Sequence, residues 1–431
     1  MIINFSIKNY LSIKETQSFQ MIAAPIREKF ESCNENKFSI GKGVDLLKSS
    51  VIYGANASGK SNFIKSILFL RDLVLVSGNL SPQQELNFLP FVLNSKTQNQ
   101  PSEFEITFYW NQTIFRYGFT GNRKSILKEW LYIKETRESL VFERNGNNVE
   151  IPKKYEILRE LKSKKMIRPN ALLLSIAAQF NDKISKDVFQ WFANLNIVFG
   201  LIDQLYNDYS ITLLEDPQNR EIMLSLLKVA DFGIEDLKII ETEGSNIAFT
   251  IKGSDFQNPS FTKGKSVIKN LKSIKHVLNE KGQIETVIEV PFELFESEGT
   301  KKFFHLLGPI LDTLKYGKIL IVDELDTKLH PLLTQRIVKL FNSNNTNPKN
   351  AQLIFATHDT QLLDAKTFRR DQIWFAEKKI DGSTSLYSLI DFKKGKTPRN
   401  DEKLGKNYIY GKYGAIPYLG DFDDLFEEYT N

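Results

Sequence analysis

The sequence predicts an α/β fold of two lobes with a mainly helical insertion and no long coiled coil. Three observations carry that expectation. A short apolar strand at 50–53 enters a glycine turn and then a helix over 62–77, with Phe63, Ile67, Leu70 and Val74 on one face. The last third alternates helix and strand, with helices at 300–314 and 331–341 and strands at 318–322, 352–356 and about 372–376. Between about 153 and 230 the apolar period is helical, in YEILRELKSK, ALLLSIAAQF, DVFQWFANL and REIMLSLLKVA.

The remaining elements follow in order. Ile2–Tyr10 alternates as a strand does, and 104–119 reads as a hairpin turning at Asn111-Gln112, with strands continuing over 126–142. Strands resume at 236–251, and a polar loop with Gly253, Pro259 and Gly264 precedes a strand at 285–290. No heptad pattern persists for the several repeats a coiled coil needs. These divisions give an N-terminal lobe at 1–150, an insertion with connecting strands at 151–284, and a C-terminal lobe with a short tail at 285–431.

Composition narrows the class without choosing a function. The chain has 431 residues, 41% hydrophobic and 25% charged, as ordinary globular proteins do. No apolar run is long enough to span a membrane, and the start lacks a secretory signal, so a cytoplasmic location is the expectation. The single cysteine, Cys33, excludes an internal disulfide and a cysteine-based zinc cluster. A net charge of +5 permits nucleic-acid contact without arguing for it. The basic stretches at 153–168 and 263–276 have helical lysine spacing and read as solvated helix faces.

Four short motifs carry chemistry. Gly54-Ala55-Asn56-Ala57-Ser58-Gly59-Lys60-Ser61 fits G-x-x-x-x-G-K-[ST] between a strand and a helix. Its glycines let backbone N–H groups curl around phosphates, and the helix N-terminus, with Asn62 in its first turn, adds positive potential. Lys60 is then placed to reach the β- and γ-phosphates of a nucleoside triphosphate, and the Ser61 hydroxyl to ligate Mg²⁺. The apolar strand 318–322 ends in Asp323-Glu324. Asp323 suits the magnesium shell, and Glu324, pointing elsewhere, suits a water in line with the γ-phosphate. A second apolar strand, QLIFA, ends in Thr357-His358-Asp359, where His358 can donate to the same phosphate. Ser297-Glu298-Gly299-Thr300 opens a helix and reads either as a plain N-cap or as a second phosphate-seeking surface.

The order of these motifs resembles the ABC-type ATPase heads of SMC, Rad50 and RecF proteins. The likeness covers about residues 1–130 and 285–380, and the start FSIKNYLSI is similar to the first strand of the RecF-like group. It implies that Lys60 and Ser61 belong to the Walker A motif, and Asp323 and Glu324 to the Walker B motif with its catalytic glutamate. It likewise implies that Asp326 lies in the D-loop and that His358 is the switch histidine. Ser297, Gly299 and Thr300 stand where the signature motif of an opposing subunit touches ATP, although the family's LSGGQ-like core is here SEGT. The Q-loop glutamine has no distinctive position; Gln83 and Gln84 are the candidates.

Within that superfamily the segments RPNALLLSIAAQFND, DELDTKLHP, RRDQIWFAEK and YGKYGAIPYLGDFDDL resemble AAA-type ATPases of anti-phage and abortive-infection systems. The AbiL/RloA kind and the overcoming-lysogenisation-defect ATPases are the nearest likenesses. Such relatives often carry a TOPRIM nuclease, for which the stretch after His358 is too short. The expectation is therefore an ATP- and Mg²⁺-dependent ATPase that forms a homodimer, or an assembly of dimers, and controls an effector such as a TOPRIM-type nuclease encoded nearby. The alternative is a DNA-binding repair protein of RecF/Rad50 type; a transporter subunit and a self-contained nuclease fit less well. The tail YIYGKYGAIPYL reads equally as a docking surface for the effector or as the edge of the chain's own core.

Overall fold

The structure is a computed structural model that describes residues 1–41, 43–200, 202–230, 232–250, 260–392, 398–399 and 401–417. The chain opens with β1 (Ile2–Lys8), β2 (Gln17–Gln20), β3 (Lys37–Ser39), β4 (Asp45–Leu47) and β5 (Ser49–Tyr53), followed by α1 (Lys60–Val76). Next come β6 (Ser102–Trp110), β7 (Thr113–Gly121), β8 (Ile126–Lys134), β9 (Glu138–Asn145) and β10 (Asn148–Glu150). Helices α2 (Glu156–Ser163), α3 (Leu173–Gln179) and α4 (Lys183–Ala193) lead to β11 (Leu195–Phe199), then α5 (Asn207–Leu214) and α6 (Pro217–Val229). Strands β12 (Asp236–Thr250), β13 (Ser260–Leu278) and β14 (Ile284–Pro291) precede α7 (Phe292–Phe295) and α8 (Glu298–Tyr316). The chain continues through β15 (Ile319–Asp323), α9 (Pro331–Asn342), β16 (Gln352–Ala356), β17 (Ile373–Lys378), β18 (Thr384–Ser388) and α10 (Leu404–Ile409).

Two sheets dominate. A seven-stranded antiparallel sheet runs β10-β9-β8-β7-β6-β1-β2, and a six-stranded sheet runs β11-β15-β16-β5-β17-β18. In the second sheet every pairing is parallel except β17 with β18. Its strands are apolar on both faces, as parallel strands covered on both sides must be. Ile319, Ile321, Ile354 and Ile52 enter the core shared with α1 and the seven-stranded sheet, while their neighbours Leu320, Val322, Leu353 and Val51 enter a second core with α8 and α9. Parallel strands end on one edge, so the turns after β5, β15 and β16 meet there. That edge is where ligands bind in open α/β sheets.

The hairpin at 104–119 is present as β6 and β7. Asn111 and Gln112 both have positive φ, 46° and 62°, as a two-residue turn between twisted strands requires. Segment 151–284 contributes more than helices. Its strand β11 is an edge of the six-stranded sheet, and Glu129 of β8, fully buried, accepts N–H bonds from Leu173 (2.7 Å) and Leu174 (3.0 Å) at the start of α3.

One expectation is corrected, and one open alternative is decided in part. The basic stretch 263–276 is not a helix face but lies in β13, paired with β12 on one side and β14 on the other. Gly264 falls inside that strand, whereas Gly253 and Pro259 lie outside the described residues. The tail, read equally as docking surface or core edge, packs into the core through Tyr408, Tyr413 and Ala415, with Tyr408 against Tyr53 and Phe375, while Ile409 and Tyr410 are exposed. Its acidic end, 421–431, lies outside the described residues.

Candidate functional site

Strand β5 is buried throughout and delivers Gly54 to the sheet edge. A Cβ there would stand 2.3 Å from the Ala376 carbonyl oxygen and 2.6 Å from Ser58 Oγ, so only glycine fits. At Gly59, φ is +103°, and a Cβ would lie 1.9 Å from Thr384 Oγ1. Thr384 donates to the Ser58 carbonyl at 2.9 Å, and its Oγ1 lies 2.8 Å from Ser12 Oγ, which accepts from Asn62 Nδ2 at 2.8 Å. Since the Thr384 proton is engaged, Ser12 is the donor of the pair. Two residues far away in sequence thus hold the loop's second half open.

Lys60 is 5% exposed and donates to the carbonyls of Gly54 (2.8 Å) and Ala55 (3.1 Å), closing the loop around its own ammonium. Burial lowers its pKa to about 8, against the pull of Asp323, Glu324 and Asp326. The loop residues 56–62, with Glu324 and His358, line a cavity of about 420 Å³. Sequence reasoning named all of these, but not Ser12 or Thr384, whose roles have no local motif.

The tip of β15 faces the start of α1. Asp323 is 6% exposed, the Ser61 hydroxyl is close enough to favour its charged form, and its Oδ1 has no hydrogen-bond partner among the described residues. Burial raises its pKa and Glu324 adds to the rise, while Ser61, Lys60 and Lys65 oppose it. A buried carboxylate with an open oxygen beside a serine hydroxyl suits a hard cation, and Mg²⁺ takes one or two protein oxygens and completes its shell with phosphate and water. Ser61 and Asp323 therefore fit Mg²⁺. No group of three or more His, Cys, Asp or Glu among the described residues forms a metal cage of its own.

After Asp323 the backbone reverses. Glu324 has a left-handed φ of 54°, which turns its side chain to the cavity, where Thr327 Oγ1 donates to Oε2 at 3.1 Å. Asp326 Oδ2 accepts the backbone N–H of His358 at 3.3 Å, tying the turn after β15 to the turn after β16. His358 itself is exposed. Partial burial lowers its pKa and nearby Lys60 adds to this, so the ring is held neutral, able to donate one hydrogen bond and accept another.

Ser297, Gly299 and Thr300 are not among the residues lining this cavity. Ser297 is the N-cap of α8, accepting from Thr300 N at 3.1 Å, with its Oγ 2.8 Å from Thr300 Oγ1. Thr300 is 3% exposed and supports Ser297 from behind, whereas Ser297 is exposed. A Cβ on Gly299 would sit 2.7 Å from the Lys328 carbonyl oxygen, so the start of α8 lies against the segment that follows Asp326. Gln83 and Gln84 are exposed, on a turn held by Asn170, and do not line the cavity.

Among the described residues no helix is long and apolar enough to cross a membrane. Comparison with solved structures gives an SMC head domain from Thermotoga maritima, at 13% identity and TM-score 0.40, covering 90% of this chain and 98% of that one. An SMC head bound to the C-winged helix domain of ScpA matches at 16% identity and TM-score 0.39, covering 90% and 97%. A RecF-ATP structure, of the recombination mediator protein in the RecFOR pathway, matches at 12% identity and TM-score 0.29, also covering 90% and 97%. No curated protein matches the chain. Residues 49–364, from β5 to just past His358, match the family described as "AAA domain, putative AbiEii toxin, Type IV TA system". With the phosphate loop, the acidic strand tip and the histidine on one sheet edge, and most of the chain inside the match, this protein belongs to that AAA-domain family of P-loop ATPases.

Proposed function

We propose that the chain is an ATP-binding and ATP-hydrolysing switch, which dimerises around ATP and passes its state to a partner effector. One observation carries the reading. The cavity gathers one half of a nucleotide site, comprising the phosphate loop, Glu324 and His358, while the second phosphate-seeking surface, at exposed Ser297, lies apart from it. Two copies arranged head to tail bring the Ser297 of each to the cavity of the other, giving two composite sites.

In that arrangement the N–H groups of residues 56–61 and Lys60 bind the phosphates. Ser61 and Asp323 would hold Mg²⁺, which would supply positive charge against the phosphoryl oxygens. Glu324, steadied by Thr327, accepts a proton from water at the open end of the cavity, and neutral His358 donates to the γ-phosphate. Ser297 and Gly299 supply the contact from the second copy, with Thr300 fixing the Ser297 rotamer.

The matched family's description, "putative AbiEii toxin, Type IV TA system", supports a role in such a system; that it serves defence against phage through an effector such as a TOPRIM-type nuclease is our reading of the sequence resemblance. Direct gripping of DNA ranks second. The described lysines of the basic strand β13 are each paired with a carboxylate, Lys269 with Glu215, Lys272 with Glu289 and Lys275 with Glu296, which leaves little free charge for a phosphate backbone.

The test is Glu324→Gln. It should bind ATP as wild type does, hydrolyse it about 10²-fold or more slowly, and run as a dimer with ATP and Mg²⁺ in light scattering. An ATP-saturated variant that stays monomeric would count against the switch.

A further inference from the structure

Helix α8 carries a charged side chain that the nucleotide site does not use. Lys302 is fully buried, and its Nζ donates to the carbonyl oxygen of Gly200 at 2.8 Å. Gly200, the residue after β11, donates its own N–H to the Asp323 carbonyl at 2.8 Å. A Cβ on Gly200 would stand 2.5 Å from the Glu324 carbonyl oxygen and 2.6 Å from that of Asp323. Gly200 is thus a thin wedge, its Cβ position also only 2.8 Å from Lys302 Nζ, so the ammonium and the peptides of Asp323 and Glu324 crowd it together.

A buried ammonium costs several kcal/mol to desolvate, which its partners must offset, so it is a demanding choice for packing alone. Position is what the ammonium adds. It gives α8 a directional hold on the turn that aims Glu324, whose left-handed backbone has to be imposed by its surroundings. The first turn of the same helix is tied to the other end of that segment. Glu298 pairs with Lys328 at 2.8 Å, and Gly299 lies against the Lys328 carbonyl. Ser297 and Lys302 are separated by about one and a half helical turns, or roughly 7 Å of rise, so a stiff helix joins the exposed cap to the wedge.

We propose that Lys302 is a positioning residue, acting through Gly200, by which the seating of α8 at Ser297 sets the position of the Glu324 carboxylate. The inference rests on the reading that Glu324 activates water and that Ser297 meets the nucleotide of a second copy. It adds that the two sites are mechanically linked within each chain: the helix end that touches one nucleotide also aims the glutamate acting on the other.

The experiment compares full-length Lys302→Met and Gly200→Ala with wild type, measuring kcat and KM for ATP, binding of a fluorescent ATP analogue, and Tm. Methionine keeps the stem and removes the donor; alanine at 200 keeps the ammonium but pushes on the Asp323 and Glu324 carbonyls and on Lys302 Nζ, 2.8 Å from the new Cβ. Both should lower kcat by about tenfold or more, with KM and nucleotide affinity within about threefold of wild type, the split expected when an interaction matters only at the chemical step. If kcat stays within about twofold in either folded variant, the proposal is overturned. Loss of folding in both also overturns it, by making the contact structural alone. Should Glu324→Gln itself leave turnover unchanged, the reading of Glu324 fails instead, and the two failures are told apart.

Discussion

Replacing Gly59 by alanine should weaken ATP binding by two to three powers of ten, and the size follows from three contacts. A left-handed φ costs an L-residue about 1–2 kcal/mol, and here φ is +103°. The new Cβ would lie 1.9 Å from Thr384 Oγ1, so Thr384 must move, and with it go its bonds to the Ser58 carbonyl (2.9 Å) and to Ser12 Oγ (2.8 Å). Each bond contributes about 1 kcal/mol net, which brings the sum to roughly 3–4 kcal/mol. At about 1.4 kcal/mol per tenfold, this is the stated loss if it falls on the loop conformation that binds phosphate. Titration calorimetry with ATP and Mg²⁺ measures it. Thr384→Ala alone should cost up to about 30-fold, and added to Gly59→Ala it should cost little more, because the same two bonds are already lost there. If Gly59→Ala binds ATP as wild type does, or if the two single losses add in full in the double variant, the close-approach argument is wrong.

Two further outcomes are expected. With the Lys60 pKa lowered to about 8 by burial, the ammonium is already present below pH 8 and must be regained on binding above it. ATP affinity should therefore be flat below pH 8 and fall toward tenfold per unit above it, with proton uptake seen as buffer-dependent binding heat; a flat profile to pH 9.5 would contradict this. Truncation after Asn407 removes Tyr408, Tyr413 and Ala415 from the core, and with them the bond from Ala55 N to the Ala415 carbonyl at 2.9 Å. Burial of each large aromatic is worth about 3–5 kcal/mol against a total stability of about 5–15, so the truncated chain should not fold. A truncated chain that still melts cooperatively and binds ATP would show the tail to be dispensable.

What was legible in the sequence was whatever a single local signal determines. KILIVD and QLIFA are apolar on both faces and end at a turn, so they read as buried strands, and the glycine loop between β5 and α1 read as a phosphate cradle. β11 was hidden because LNIVF follows the helical run DVFQWFANL with no glycine or proline to separate them. β13 was misread because its lysines fall at helical intervals; in the structure they project from both faces of a strand and find carboxylates just after α5, on β14 and in the turn before α8. The tail is aromatic either as interface or as core, and only its packing on Tyr53 and Phe375 distinguishes them. Ser12 and Thr384 are 372 residues apart, and neither is unusual until the fold sets both against Gly59.

The central claim is that each ATP site is shared between two copies, and complementation between two dead variants tests it most directly. Lys60→Ala removes the ammonium from one half-site, and Ser297→Arg blocks the other half with a side chain too large for the exposed cap. Each variant alone should show no ATPase activity, the first for want of bound nucleotide and the second for want of closure. Mixed and allowed to exchange, they should form heterodimers in which one composite site has both intact halves, so partial activity returns in proportion to the heterodimer measured by native mass spectrometry. A mixture in which heterodimers are abundant yet as inactive as either parent would contradict the shared site.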